Sequence, residues 1–325
     1  MSTTEQEYNE KGAAVAFKPP APVEEAQGRL PAKPLRQRPN PVLKWLRWAA
    51  FYFPFCFLAF LTTVPFVWMV FSSFKPREEV EDVHFVPRDW EPENYAVVLQ
   101  WMPQPTTGEM VQLDFKRYYF NSIFVTLAVT FFQLITCSMG AYAFSRIRWI
   151  GRDRLFLMYL ATLMVPGVVL MIPNFQLMVS FNMFDTYAGL IFPSIFFGSA
   201  FGTFLLRQFM MTIPSSLDEA AAIDGASHWQ IFWDVMLPLS RAGLVTLALF
   251  TMLLNYQSFF WPLVLLKSEH LYTLPVGLLN LDTSFGKQTE LILAATVMSI
   301  APLVIVFIMA QKVIVKGIQM GAVKG

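Results

Sequence analysis

Glu219-Ala220-Ala221-Ala222-Ile223-Asp224-Gly225, followed by Val235-Met236-Leu237-Pro238, is a polar and charged interlude between two strongly apolar stretches of the chain. The residues leading into it, Pro214-Ser215-Ser216-Leu217-Asp218-Glu219, read as a helix start. Ser216 and Glu219 have capping-box spacing, and Ser215 is an alternative cap. Asp218 and Glu219 put negative charge in the first turn, where the helix dipole favours it. Ala220, Ala221 and Ala222 favour helix and leave little side-chain bulk, so their face is bare enough to lie deep in a groove of another protein. Gly225 permits a sharp change of direction. A second short helix is predicted over 227–237, closed by Pro238.

The surroundings decide what such a hairpin belongs to. Hydrophobic residues make up 55% of the chain and charged residues 14%, too apolar and too sparsely charged for a soluble domain of this length. A formal net charge of +1 gives no basis for nucleic-acid binding. Six segments have the ~20 mostly apolar residues that a membrane crossing needs: 48–71, 119–144, 155–179, 187–210, 243–265 and 291–313. The expected fold is therefore all-α, a polytopic membrane protein with six transmembrane helices. Residues 1–47 are polar and rich in Pro, Ala and Glu, the composition of a disordered tail, with Arg29, Lys33, Arg36, Arg38, Lys44 and Arg47 gathered before the first span. The remaining divisions are a first transmembrane helix at 48–74, an extracytoplasmic loop at 75–118, a core at 119–313 and a tail at 314–325.

Orientation follows from the positive charge of short cytoplasmic loops. Arg146, Arg148, Arg152 and Arg154 place the loop between spans two and three inside. The acidic 75–118 segment, with Glu78, Glu79, Glu81, Asp82, Asp89, Glu91 and Glu93, lies outside, and Lys312, Lys316 and Lys324 return the C-terminus to the cytoplasm. Both termini and the 212–242 loop, between spans four and five, are then cytoplasmic. The external segment reads as an irregular cap over the bundle or as a contact surface for a second protein.

Proline interrupts several spans, notably at Pro166-Gly167 and Pro173. Proline is commoner in membrane helices than in soluble ones, which accounts for it without any role. Alternatively the third span breaks there because it lines a pathway. Polar side chains at membrane depth are candidates for touching a solute. They cluster at Asn255, Gln257, Ser258 and Trp261, with Asn174 and Gln176 as a second group; hydrogen bonding to neighbouring helices is their other reading. No span has a charge near its middle, which argues against an ion-coupled carrier, and Arg207 is expected to snorkel to the interface. Cys56 and Cys137 lie in apolar runs and read as small buried residues, and His84, His228 and His270 form no ligand spacing. No catalytic residue, metal site or cofactor is expected. A phosphate-binding Gly-x-x-x-x-Gly-Lys-Ser/Thr loop is missing, so any ATP must be bound by another chain.

The Glu-Ala-Ala tripeptide alone is common and fits a solvated surface hairpin. The whole spacing is far more specific: Glu-Ala-Ala, three residues, Gly, nine residues, an aliphatic, one residue, Leu-Pro. With it stand Asn121-Ser122, Ala141-Tyr142-Ala143-Phe144-Ser145-Arg146, Met164-Val165-Pro166, Ile172-Pro173, Phe204-Leu205-Leu206-Arg207-Gln208-Phe209, the 255–262 stretch and the ending Gly321-Ala322-Val323-Lys324-Gly325. Together these resemble the permease subunits of bacterial ATP-binding-cassette importers of the carbohydrate-uptake type, with one conservative departure at Val235, where isoleucine is usual. The resemblance implies a multi-pass protein of the bacterial inner membrane that forms half of a sugar pathway. The 212–242 loop would be its coupling loop, with Glu219, Ala220, Ala221, Asp224, Gly225, Leu237 and Pro238 as ATPase-coupling residues. The implied partners are a second permease, a dimer of the ATPase, an extracytoplasmic solute-binding protein, the sugar and membrane lipid. The same resemblance leaves sugar phosphates and other small polar solutes as alternative cargo.

Overall fold

The computed structural model describes residues 41–82, 84–104, 108, 110, 114–196, 198–285 and 288–322. The expected tail up to residue 40 and the final residues 323–325 lie outside the described residues. Every regular element among the described residues is helical. Two compact units divide the chain, one through Leu61 and one from Thr62.

Helix α1 (Pro41–Ser72) belongs to both units. Its first residue is proline, whose fixed φ and missing N–H suit a helix start, so the helix takes in 41–47, expected as tail. Within the first unit its side chains stack on one another, Trp48 on Tyr52 at 5.3 Å and Phe53 on Phe57 at 6.0 Å between ring centroids. Cys56 lies exposed on this helix, contrary to the buried position its apolar neighbours suggested, whereas Cys137 is fully buried.

After the end of α1, the second unit holds α2 (Arg77–Val80) and α3 (Glu93–Val98), both within the acidic 75–118 stretch. Buried Val97 and Val98 join a core with Phe115, Tyr118, Leu291, Ala294 and Ala295, and the Asn94 amide donates to Ser73 O at 3.1 Å and Lys75 O at 3.0 Å. Helix α3 is thus packed into that core.

Helix α4 (Phe115–Ser145) is the spine of this unit. Asp114 caps it by accepting from Arg117 N, and no proline or glycine run interrupts it before Arg146. The segment expected as the third span folds instead as α5 (Arg152–Ala161), a 3₁₀ turn at Thr162–Met164, and α6 (Met171–Ser180). The gap falls at Pro166-Gly167: Val165 is pushed to extended backbone, as the residue before proline is, and Pro173 sits in the first turn of α6, where it is tolerated. Helices α7 (Tyr187–Phe196) and α8 (Ala200–Thr212) follow end to end, with Ser199 capping α8. Next come α9 (Ser216–Ile223), α10 (His228–Gln230), a π-helical turn at Ile231–Met236, α11 (Leu237–Leu239), α12 (Arg241–Tyr256) and α13 (Phe260–Leu265). The chain finishes with α14 (Leu274–Phe285) and α15 (Thr289–Ala322), which carries on past the expected end at 313.

By length and composition, four stretches can cross a membrane: Lys44–Ser72, Phe115–Ser145, Tyr187–Thr212 and Thr289–Gln311. A fifth candidate is the pair His228–Leu239 and Arg241–Tyr256, bent by 77°. The chain is therefore an all-α, multi-pass membrane protein.

Close approach holds α4, α8 and α12 together. A Cβ on Gly202 would stand 2.8 Å from Leu247 Cδ1 and 2.9 Å from Cys137 Sγ, so any larger residue there would have to displace those side chains. This is how membrane helices associate when lipid supplies no hydrophobic drive. Asn121 and Ser122 clasp the 270–274 segment to α4: the Asn121 amide donates to His270 O at 3.0 Å and Tyr272 O at 2.9 Å, and Leu274 N donates to Ser122 Oγ at 2.7 Å.

Candidate functional site

The 212–242 segment folds as a helical hairpin hung from the α4–α8 core. Its anchors are Ile231, Phe232 and Met236, which are buried with Tyr142, Leu206 and Met210; the Phe232 and Tyr142 rings lie 5.4 Å apart. Away from that anchor, Glu219, Ala220, Ala222, Asp224 and Gly225 are exposed, and Ile223 stands 86% exposed beside the alanines. Gly225 makes the turn at φ +88°, a left-handed conformation that disfavours any side chain.

Two local expectations need correction. The capping box does not form at Ser216 and Glu219, because the helix starts one residue earlier than that pairing requires: Ser215 is the helical-φ cap, and its carbonyl takes Asp218 N at 3.0 Å and Glu219 N at 3.1 Å. The reciprocal box forms at the second helix, where Gln230 N donates to Ser227 Oγ at 3.3 Å and Ser227 N to Gln230 Oε1 at 2.8 Å. Pro238 also lies inside the helical run rather than closing it. Proline crowds the carbonyl four residues back, and the π-turn at Ile231–Met236 widens the helix where that crowding would fall. The chain bends only after Ser240.

Arg146, expected only as one of several interfacial charges, is largely buried at the root of the hairpin. Its Nη2 donates to Met210 O and Ile213 O at 2.7 Å each, and its Nε lies 3.2 Å from Asp218 Oδ2. Burial pushes the Asp218 carboxyl above its ordinary value, against the pull of Arg146. Arg207 Nε donates to Phe144 O at 3.2 Å, its guanidinium covers the Phe156 ring at 4.3 Å, and its Nη2 lies 3.9 Å from the exposed Asp153 Oδ1.

The polar candidates separate by position. A cavity of about 660 Å³ lies where the 165–170 gap meets the 257–259 gap between α12 and α13. Asn174, Ser258 and Trp261 line it, together with Gly167, Met171 and Phe260, and none of its lining residues is charged. Asn255 is not among them and donates to Thr251 O at 2.8 Å in its own helix. Gln176 and Gln257 are exposed away from the cavity. Sequence reasoning passed over Gln133, whose Oε1 accepts from Thr251 Oγ1 at 3.0 Å and ties α4 to α12; its signal was an amide alone in an apolar run.

The family model of the binding-protein-dependent transport system inner membrane component matches residues 134–320, which takes in the hairpin, the cavity and most of the core. The chain belongs to this family. Over 297 residues this permease is 32% identical to the arabinooligosaccharides transport system permease protein AraQ of Halalkalibacterium halodurans, spanning 90% of this chain and 100% of that one. It is 34% identical over 206 residues to the sn-glycerol-3-phosphate transport system permease protein UgpE of Yersinia enterocolitica, spanning 63% and 73% of the two chains. Among solved structures it is similar to a chain of a bacterial ABC transporter involved in import of the acidic polysaccharide alginate, with TM-score 0.69, 26% identity and 86% and 99% of the two chains covered. The permease is a transport subunit and not an enzyme, and ATP hydrolysis belongs to a separate chain.

Proposed function

We propose that this permease forms half of the membrane pathway of an ATP-binding-cassette importer for a neutral sugar. Its 212–242 hairpin is the element that docks a partner ATPase. The observation that carries this reading is the hairpin itself, a buried root of Ile231, Phe232 and Met236 bearing an exposed tip of Glu219, Ala220, Ala222 and Ile223 that no part of the described chain covers. A bare helical tip fixed to the helix core moves with that core. When ATP closes the ATPase dimer, a docked tip carries the movement into α4 and α8, and a rigid-body swing exchanges inward-facing for outward-facing access.

In the six-span arrangement that goes with this reading, the third span is α5 with α6, interrupted at Pro166-Gly167, and the fifth is α12 with α13, interrupted at 257–259. Non-helical backbone at membrane depth is tolerated where it lines a cavity, and both gaps border the same one. Asn174 and Ser258 offer hydrogen bonds to sugar hydroxyls, and Trp261 a face for the apolar side of a pyranose. The uncharged lining favours a neutral sugar over a sugar phosphate. The hairpin, both termini and the Arg146–Arg154 loop lie in the cytoplasm, and the α2–α3 cap faces out towards a solute-binding protein. A second permease completes the pathway.

Glu219→Lys and Gly225→Asp test the docking. Each is expected to reach the membrane at the level of the unaltered chain while the ATPase no longer co-purifies with it. Full retention of the ATPase by both variants refutes the assignment.

A further inference from the structure

We propose that Arg146 is the positioning residue that joins the docking helix α9 to the α4–α8 core, so that a load on α9 is felt at the cytoplasmic ends of both long helices. The inference rests on the docking role given to the hairpin above. Arg146 follows the last residue of α4, and its own N–H closes that helix on Tyr142 O at 2.9 Å. Helix α8 ends at Thr212, where the cap N–H of Ile213 reaches Met210 O at 3.2 Å and leaves that carbonyl's second lone pair open to another donor. Two carbonyls at this end, Met210 O and Ile213 O, both accept from Arg146 Nη2 at 2.7 Å. The remaining edge of the same guanidinium faces Asp218, in the first turn of α9, at 3.2 Å. One residue therefore joins three helix ends, α4 through its backbone N–H and α8 and α9 through its side chain. A planar, always-charged fork is suited to that, and a lysine nitrogen is not.

The two sides of this joint are unequal. Towards α8 there are two short hydrogen bonds. Towards α9 there is an ion pair whose Nε–H is not aligned as a hydrogen bond, and Asp218 Oδ1 is buried with no partner among the described residues. Both side chains are largely screened from bulk solvent, at 11% and 19% exposure. A buried carboxylate oxygen left unmet asks for an explanation. A movable contact supplies one: a small turn of α9 can complete the pair or open it while α4 and α8 stay fastened. The desolvation that raises the Asp218 carboxyl fits a group kept for position rather than for stability.

The test is amide hydrogen exchange on the membrane-embedded permease, with and without the partner ATPase. Comparing Arg146, Arg146→Gln, Arg146→Lys, Asp218→Asn and the Arg146→Gln/Asp218→Asn double variant completes the design. In the unaltered chain, ATPase binding is expected to slow exchange at 216–223 and also at 142–146 and 208–213, by about five-fold or more, the scale of ordinary inter-site coupling. In Arg146→Gln the slowing at 216–223 persists and that at 142–146 and 208–213 is lost; Arg146→Lys keeps part of it. Asp218→Asn is nearly isosteric and leaves the α8 bonds in place, so it carries the test should Arg146→Gln fold poorly. It gives the same loss, and the double variant loses no more than either single one, as members of one pair do. The proposal is overturned if 142–146 and 208–213 respond equally in Arg146→Gln, do not respond in the unaltered chain, or show independent losses that add. Absence of slowing at 216–223 in the unaltered chain is a different result and refutes the docking role itself.

Discussion

Gly225→Ala separates backbone conformation from bulk at the tip of the hairpin. Gly225 has φ +88°, and nothing lies within 4 Å of where a Cβ would be, so an alanine there meets no neighbour. The whole cost is the left-handed backbone, about 1–2 kcal/mol for a residue with a Cβ. Gly225 itself is solvent-exposed, so the strain is relieved by opening the turn and not by unfolding the bundle. Docking requires the turn to be restored, and the cost then appears in ATPase affinity as a roughly five- to thirty-fold rise in Kd. Asparagine visits the left-handed region more readily, so Gly225→Asn is expected to fall between glycine and alanine. The assay is titration of purified ATPase onto the permease in nanodiscs, with thermal unfolding of the permease measured in parallel and expected to be unchanged. Equal Kd for all three residues, or asparagine as damaging as alanine, refutes the reasoning.

Gly202→Ala puts a methyl 2.8 Å from Leu247 Cδ1 and 2.9 Å from Cys137 Sγ. The overpacking costs about 1–3 kcal/mol, less the roughly 1 kcal/mol alanine gains over glycine in a helix; denaturant titration in bicelles should show a lowered midpoint, and Leu247→Ala added to it should cost less than it does alone. The Asp185 carboxylate accepts from Lys267 N and Ser268 N at 2.8 Å each, and from the Ser268 hydroxyl. These bonds hold its pKa below the ordinary 3.8, so its contribution is complete above that pH and is lost as pH falls through the lower folded value. Asp185→Asn should lower the unfolding midpoint at pH 7, and the gap should close under acid. Trp261→Ala and Asn174→Ala each remove one contact worth roughly 1 kcal/mol from the cavity, so half-saturation of sugar uptake should rise several-fold; Gln257→Ala, off the cavity, should leave it unchanged.

How far the fold could be read from sequence depended on how local its causes are. The α4 span was legible because 115–145 is apolar and free of proline, and the gap at 165–170 announced itself through Pro166-Gly167. The gap at 257–259 has no proline within it; of the polar cluster read around it, Ser258 and Trp261 line the cavity while the Asn255 amide donates to Thr251 O in its own helix. The capping box was read at Ser216 and Glu219, a pairing that the early start of α9 disables, while the Ser227-x-x-Gln230 pattern that forms one was passed over. Arg146 showed only its charge in sequence. Its role depends on bringing together the ends of α4, α8 and α9, which no local pattern records.

The account turns on which side of the membrane the hairpin faces and what meets it there. A photoactivatable residue at Ala222, on the exposed tip, should cross-link to the ATPase chain in intact membranes, and one at Val86, exposed between α2 and α3 and proposed to lie on the other side, should not. Capture of the ATPase from Val86, with none from Ala222, would contradict it.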